Sequence, residues 1–314
     1  MKTKLDGDEL NLMTLAQQYS DNDKARALLE SLRWPKGPVC PHCQFNEIYK
    51  LKPKAASKKP ARNGVYKCAA CRKQFTVTVG TIFEDSHIPI GKWLMAMFIV
   101  CSSKKAVSAH QLHRMLKITY KSAWFMAHRI RFAMGPDIAA MKKLSGTVEV
   151  DETFIGGKGE TRTKHLRQTP VVALVERNGN MQARVVSNVT AKNLGKCLNE
   201  CVDKTAIVNT DQHGAYRRPS KSFKRHDVVS HAKYEYHRVN RDGTTSGVNH
   251  CESFFSLLKR GVIGAWHHIS REHLAKYANE FAFRWNTRKM TDGSRLVAAV
   301  GTIAGKRLTY KQAV

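Results

Sequence analysis

Four cysteines and a small set of acids are the residues of this chain best equipped for chemistry. Cys40-Pro41-His42-Cys43 and Cys68-Ala69-Ala70-Cys71 form two CxxC pairs about two dozen residues apart. Such pairs supply four thiolates, the donor set of a closed tetrahedral zinc site, each pair making a turn whose amides orient the sulfurs. A full thiolate shell leaves no open position, so the expected Zn²⁺ is single and structural. His42 and His87 are spare and are expected to face solvent. The acids are less self-evident. Asp151 and Asp211 each follow a β-branched run that reads as a buried strand, and Glu252 lies in His250-Cys251-Glu252-Ser253-Phe254-Phe255-Ser256-Leu257-Leu258-Lys259-Arg260. Read as a helix, that run puts Phe254, Leu257 and Leu258 on one side and Glu252, Ser256 and Lys259 within about 60° of one another on the other. Carboxylates from two strand ends and a helix can hold two divalent cations about 4 Å apart for phosphodiester chemistry, and Mg²⁺ suits such oxygen donors. Spacing alone does not select the set. Glu149 shares a strand face with Asp151, Glu152 is adjacent, and Asp203, Asp227, Glu235 and Asp242 read equally as surface charges.

Composition narrows the partner. The 314 residues carry 53 Lys and Arg against 25 Asp and Glu, a formal charge of +28 and a pI near 10.0. The excess runs along most of the chain, which points to a polyanionic partner, nucleic acid before an acidic membrane surface. No apolar stretch is long enough to span a bilayer, and the acidic, polar N-terminus is unlike a signal peptide. The expected location is cytoplasmic, associated with the nucleoid. Eight cysteines in that compartment argue for metal rather than disulfides. Cys101, Cys197, Cys201 and Cys251 lack a second CxxC partner, and Cys197 and Cys201 read as helix packing.

The elements that must position these groups follow from patterning. Residues 8–33 read as helical, with Ser20-Asp21-Asn22-Asp23 offering caps between two short helices. Gln74–Val79 alternates as a strand, and Lys50–Lys59 reads as a mobile basic loop. Within a helical 91–134, Ser108 caps a helix through Leu116, Ile118 and Thr119 make a short turn, and Tyr120 opens a second helix. Ala123, Met126, Ala127, Ile130 and Met134 share its inner face; Lys121, His128 and Arg129 point elsewhere, as in a helix-turn-helix that meets DNA with Lys121 and Arg129. Two ordinary antiparallel helices are the alternative, because the turn lacks a glycine. Gly135-Pro136 breaks this block, and 137–146 reads as a linker or short helix. Strands follow at 147–151, then 171–175 and 181–186 around Asn178-Gly179, a strong hairpin signal. A helix over 190–202, a strand at 206–208, a short strand at Val228-Val229, a polar loop over 232–247, the Glu252 helix and a helix over 272–286 complete a mixed α/β order. Trp266-His267-His268 reads as a packed loop or helix start.

The chain resembles the bacterial insertion-sequence transposases of the acidic-triad (DDE) type, in the group with an N-terminal zinc ribbon. The resemblance rests on Arg33-Trp34-Pro35 before the first Cys pair, Lys73-Gln74-Phe75-Thr76 and Gly80-Thr81-Ile82-Phe83 after the second, and Ala123-Trp124-Phe125-Met126 with Arg129-Ile130-Arg131. It continues through Val148-Glu149-Val150-Asp151-Glu152-Thr153, Gly156-Gly157-Lys158, Thr210-Asp211, Glu252-Ser253-Phe254-Phe255 with Leu258-Lys259-Arg260, and Phe283-Arg284-Trp285-Asn286. It spans roughly residues 20–290 in unbroken order.

This resemblance implies Asp151, Asp211 and Glu252 as ligands of two catalytic Mg²⁺ or Mn²⁺ ions. It makes Lys259, with Arg260, a DNA-phosphate contact. It further implies an RNase H-like catalytic domain, binding of double-stranded element ends and target DNA, and a homo-oligomer when assembled on DNA. The organisation expected is α/β and multi-domain: an N-terminal helical segment (1–36), a zinc ribbon (37–85), a helical, helix-turn-helix-like region (86–136), the RNase H-like domain (146–290) and a C-terminal tail (291–314). The implied mechanism is in-line attack on phosphorus by water and then by the freed 3′-hydroxyl, without a covalent protein–DNA intermediate. Rival readings are a zinc-ribbon DNA-binding regulator without chemistry and an RNase H-like nuclease that cuts without joining. A tyrosine-recombinase reading would draw on Tyr216, Tyr234 or Tyr236 with His231, His237, Arg238 and Arg241. His231 and His237 could touch DNA, tune the metal site or serve as ordinary loop residues.

Overall fold

The computed structural model describes residues 7–52, 63–136, 141–156 and 168–313. Most of the Lys50–Lys59 loop, the first part of the 137–146 linker, and Gly157-Lys158 lie outside them. The chain divides into two compact units, one formed by the chain up to Ser103, Val107–Met134 and Met290 onward, the other by Lys104–Ala106 and Gly135–Lys289.

The first unit begins with α1 (Leu12–Gln18) and α2 (Asn22–Arg33). Asn11 and Asp21 cap them by accepting backbone N–H bonds that the first turn would otherwise leave unmade. A three-stranded antiparallel sheet follows, β1 (Ile48–Lys50), β2 (Tyr66–Cys68) and β3 (Gln74–Phe75). Here β3 is shorter than its alternation predicts. Only Gln74 and Phe75 pair with β2, and Thr76–Val79 turns instead, although Val77 still points inward. Pairing stops where the chain turns, the Val79 N–H donating to the Thr76 carbonyl at 3.2 Å. Helices α3 (Ile90–Ser102), α4 (Ala109–Leu116) and α5 (Tyr120–Met134) complete this part. Ser108 caps α4, and Lys117 ends it in the left-handed region (φ 48°), so the glycine-free turn is made by a lysine.

The second unit is a five-stranded sheet built from β4 (Thr147–Gly156), β5 (Gln168–Glu176), β6 (Met181–Val185), β7 (Ile207–Thr210) and β8 (Arg225–Val228). Its order is β6-β5-β4-β7-β8, with β4–β5 and β5–β6 antiparallel and β4–β7 and β7–β8 parallel, the RNase H-like arrangement. The β5–β6 turn places Asn178 at φ 59°. Helix α6 (Ala191–Cys201) covers one face, where Val148, Val150, Val172 and Leu174 meet Leu194, Leu198 and Cys201. After β7 comes the short α7 (Arg217–Ser220), and after β8 the polar segment over 232–247 forms a hairpin, β9 (His237–Val239) and β10 (Thr245–Gly247). Its turn is closed by Asn240 N–H to Thr244 C=O at 2.8 Å, with Gly243 at φ 76°. The opposite sheet face is covered by α8 (Asn249–Gly261) and α9 (Arg271–Asn286), whose Cys251, Phe254, Leu258, Leu274 and Phe281 share a core with Val171, Ala173 and Val175. Trp266 packs edge-on against Tyr277 and Phe281.

The segment expected as a C-terminal tail is folded. It forms α10 (Asp292–Gly301) and α11 (Tyr310–Ala313) and returns to the first unit, α10 packing on α2 and α3 and α11 on α5. At the start of α10, an added Cβ on Gly293 would lie 1.8 Å from the Gly7 carbonyl oxygen, a contact only glycine permits. Among the described residues no helix is long and apolar enough to cross a membrane.

Candidate functional site

The cysteine site is made by two turns of the same construction. In each, the residue after the second cysteine donates its N–H to the first cysteine's carbonyl and adopts a left-handed backbone: Gln44 to Cys40 (2.9 Å, φ 62°) and Arg72 to Cys68 (3.1 Å, φ 59°). This folds each CxxC back so that both sulfurs face one point. Cys40, Cys43, Cys68 and Cys71 bring their Sγ atoms within 4.8 Å of one another, with Cys40–Cys71 and Cys43–Cys68 at 3.6 Å. Thiolates at about 2.3 Å from a tetrahedral zinc would stand about 3.8 Å apart, so the sulfurs fit the ion. Burial works against the Cys68 thiolate, but the N–H groups of Cys71 and Ala70 and the neighbouring thiols draw its pKa down to about 7. Trp34, Tyr66 and Phe75 pack around the site, and His42 and His87 face outward.

The acids sit on the sheet of the second unit. Parallel pairing of Thr147 with Ile207 and Glu149 with Asn209 brings Asp211, just past the end of β7, level with Asp151 on the adjacent strand. Helix α8 lies across β4, its Cys251 Sγ 3.4 Å from the Glu149 carbonyl oxygen, which carries Glu252 to the same end. Burial above all, then the charges of Glu152, Asp211 and Glu252, push the Asp151 carboxyl up to about 7 against the pull of a 2.8 Å bond from the Glu152 N–H. Asp211 accepts the His213 N–H at 2.9 Å. Glu252 stays open, its side chain 46% exposed and 4.0 Å from His231 Nε2. Among the described residues only the cysteine quartet has three or more ligand atoms within 4.8 Å, so the acids form a wider, looser cluster. The acids nonetheless act on one another: Glu152, Asp211 and Glu252 all raise the Asp151 pKa, and like charges sharing a partly buried site are a donor set that could hold divalent cations.

Other predicted site residues separate in the fold. Lys259 and Arg260 are exposed on α8, Lys259 two turns after Glu252, with Arg260 donating to Ser256 Oγ at 2.7 Å. Lys121 is exposed in the first turn of α5, its ammonium 4.9 Å from the centre of the Tyr310 ring. Arg129 is a correction. It is buried, its guanidinium donating to the carbonyls of Leu308 and Glu84 and lying over the Phe125 and Trp93 rings, so it faces the protein interior and not DNA. His128 and Arg131 are buried too, which leaves α5 little more than its first turn as an outward basic surface.

The structure also shows participants that spacing did not identify. Glu149 is buried, bonded by Arg177 Nε at 2.7 Å, the His250 N–H at 2.8 Å and His250 Nδ1 at 2.9 Å. Glu152 accepts the hydroxyl of the fully buried Tyr216, and burial and Asp211 raise its pKa. Burial and the nearby acids hold the Tyr216 phenol well above its ordinary pKa, which makes it a poor nucleophile. Tyr234 and Tyr236 are exposed in the 230–247 segment. Glu149 was visible in sequence only as an ambiguous neighbour of Asp151, and no spacing rule tied it to His250.

Residues 143–286 match the family described as the ISXO2-like transposase domain, and residues 20–74 the transposase zinc-ribbon domain. Together the matches take in more than half of the chain. A protein from Halobacterium salinarum described as an uncharacterized protein in transposable element ISH50 is 27% identical over 281 residues, covering 83% of this chain and 90% of the relative.

Proposed function

We propose, on the premise that this chain belongs to the DDE-type insertion-sequence transposases with an N-terminal zinc ribbon, that it cuts the ends of its element and joins them to target DNA. The observation that carries this reading is the meeting of Asp151, Asp211 and Glu252, from a central strand, a strand end and a packing helix, at one end of the sheet. The three would hold two Mg²⁺ or Mn²⁺ ions. When bound, such ions activate the attacking oxygen and stabilise the leaving oxygen of an in-line displacement.

This chain's own groups do the rest. The His213 N–H fixes one oxygen of Asp211, and the Tyr216 hydroxyl holds Glu152 back against the strand. Glu252, the most exposed of the three acids, leaves room for a DNA phosphate. Lys259 and Arg260 further along the helix bind the flanking backbone, and the ribbon with Lys121 contributes to grip on the element ends. Water attacks phosphorus first and displaces the 3′-oxygen of the element end; that 3′-hydroxyl then attacks a target phosphorus and displaces the target strand's own 3′-oxygen, so no protein nucleophile is consumed. Joining two ends in one event calls for more than one copy of the chain on the DNA.

Incubating the protein with end DNA and Mg²⁺ or Mn²⁺, and resolving products on denaturing gels, tests this. Nicked and joined strands are expected from the parent and neither from Asp151→Asn, Asp211→Asn or Glu252→Gln. Full activity in any of these variants would remove that residue from the site. Binding without cleavage in the parent would make the chain a regulator, and cleavage without joining a nuclease.

A further inference from the structure

We propose that Glu149 is a positioning residue that sets the geometry of the acidic site without being one of its ligands. This rests on the reading of Asp151, Asp211 and Glu252 as the metal-holding set. Glu149 and Asp151 are alternate residues of β4, and His250 and Glu252 are two residues apart at the start of α8. Bonds from Glu149 to His250 therefore join the strand bearing the first acid to the helix bearing the third, one step back from the reacting end.

Both oxygens of Glu149 are occupied. Oε2 accepts the His250 N–H at 2.8 Å, which satisfies a first-turn donor of α8 and places a negative charge at the positive end of the helix. Oε1 accepts from Arg177 Nε at 2.7 Å and meets His250 Nδ1 at 2.9 Å. The carboxylate is 1% exposed. A buried carboxylate whose two oxygens already take the Arg177 and His250 contacts is committed to the protein and turned away from the open end of the site, which separates it from Asp151 and from the exposed Glu252.

Arg177 extends the strut. Its remaining N–H groups reach the Thr245 carbonyl and hydroxyl and the Gly247 carbonyl (3.4 Å) on β10, the strand that leads into α8. Asn209, on β7 two residues before Asp211, donates to the same Thr245 carbonyl at 3.3 Å. One network thus ties together the three elements that deliver the three acids. Loops and helix ends held only by exposed contacts would let Glu252 drift by the ångström or so that matters in a site of this kind.

The test measures metal binding apart from catalysis. Mn²⁺ is titrated into full-length, DNA-free protein and followed by electron paramagnetic resonance, for the parent, Glu149→Gln, Arg177→Lys and Asp151→Asn. Cleavage of end DNA is measured across the same Mn²⁺ range. The expected result is a roughly tenfold to hundredfold weaker Mn²⁺ affinity for Glu149→Gln, with cleavage recovering as Mn²⁺ is raised and end-DNA binding unchanged. Asp151→Asn, by contrast, should not recover at any Mn²⁺ concentration. Arg177→Lys, which keeps the charge and loses the fork to Thr245, should show the same behaviour to a smaller degree. It carries the test if Glu149→Gln does not fold. Parental Mn²⁺ affinity and parental metal dependence in the variants would overturn the proposal. So would a Glu149→Gln that behaves like Asp151→Asn, because that would make Glu149 a ligand. A parent that binds no Mn²⁺ would instead sink the underlying reading of the site, a result recognisable before any variant is compared.

Discussion

The cysteine site and the acidic site put metal-seeking side chains together by opposite routes. Cys40–Cys43 and Cys68–Cys71 are arranged by two short turns, each closed by its own backbone bond, so nearly all the geometry is local. Asp151, Asp211 and Glu252 come from three elements spread over a hundred residues and meet only because the sheet order and the α8 packing bring them there. The first arrangement is closed, sulfur-lined and tight; the second is open, oxygen-lined and wide. A site that must hold one ion permanently can be made locally. The acidic site, on the proposed reading the place where DNA is cut, is assembled from distant elements and keeps one member, Glu252, exposed.

The largest test of this contrast is to remove the zinc. Structural zinc contributes on the order of 10 kcal/mol or more to small domains. Cys68→Ser, or chelation of the parent, should therefore strip hydrogen-exchange protection from the ribbon, with strands 147–156 and 168–176 keeping theirs. Loss of protection in both units at once would show that the two are not separable. Next in size is the reverse experiment. Asp151→Asn should lower strand cleavage by roughly a thousandfold, since metal-assisted charge stabilisation is worth several kcal/mol. Bound zinc, counted by native mass spectrometry, should not change.

Gly293→Ala sharpens the comparison from within the first unit. Its Cβ would meet the Gly7 and Leu10 carbonyls, and overpacking of this kind costs about 1–3 kcal/mol. Thermal melting should shift downward while zinc content stays at one, because the turns that make the cysteine site lie elsewhere. An unshifted melt would mean that the contact yields freely.

The smallest effect expected concerns pH. Burial lowers the pKa of His226, whose Nε2 lies 2.8 Å from Thr210 Oγ1 between β7 and β8. A folded pKa below the unfolded value means that the unfolded chain takes up protons first. The stabilisation from His226 is thus present at neutral pH and lost as pH falls through the unfolded value of about 6.5 towards the lower folded one. His226→Asn should flatten that part of the stability–pH profile of the second unit. An unchanged slope would assign the acid sensitivity to other groups.

The same contrast explains what was legible in the sequence. The CxxC turns, the Asn178-Gly179 hairpin, the Ser108 cap and the apolar side of α8 carry their causes within a few residues. The β9–β10 hairpin did not, because its residues are mostly polar and the buried positions on β10 are Ser246 and Gly247, which give no apolar alternation to read. Arg129 was misread because an arginine in a helix is ordinarily a surface residue. Here the Leu308 carbonyl, from the segment expected as a tail, receives one of its N–H groups. Glu149 and Glu152 looked interchangeable with Asp151 in sequence. Only the positions of Arg177, His250 and Tyr216, distant in the chain, give each of them a different occupation.

The return of α10 to the first unit sets an order of events during synthesis. Gly293 seats against the carbonyls of Gly7 and Leu10, and Leu296, Ala299, Val300 and Ile303 are buried there. The ribosome makes the ribbon and its helices first, yet that unit cannot close over its core until residues beyond 300 have left the exit tunnel. The acidic unit, encoded in between, has all its strands and helices available earlier. The part of the chain made first is therefore finished last, and a message cut short near its 3′ end would yield a complete acidic unit attached to an incomplete ribbon unit.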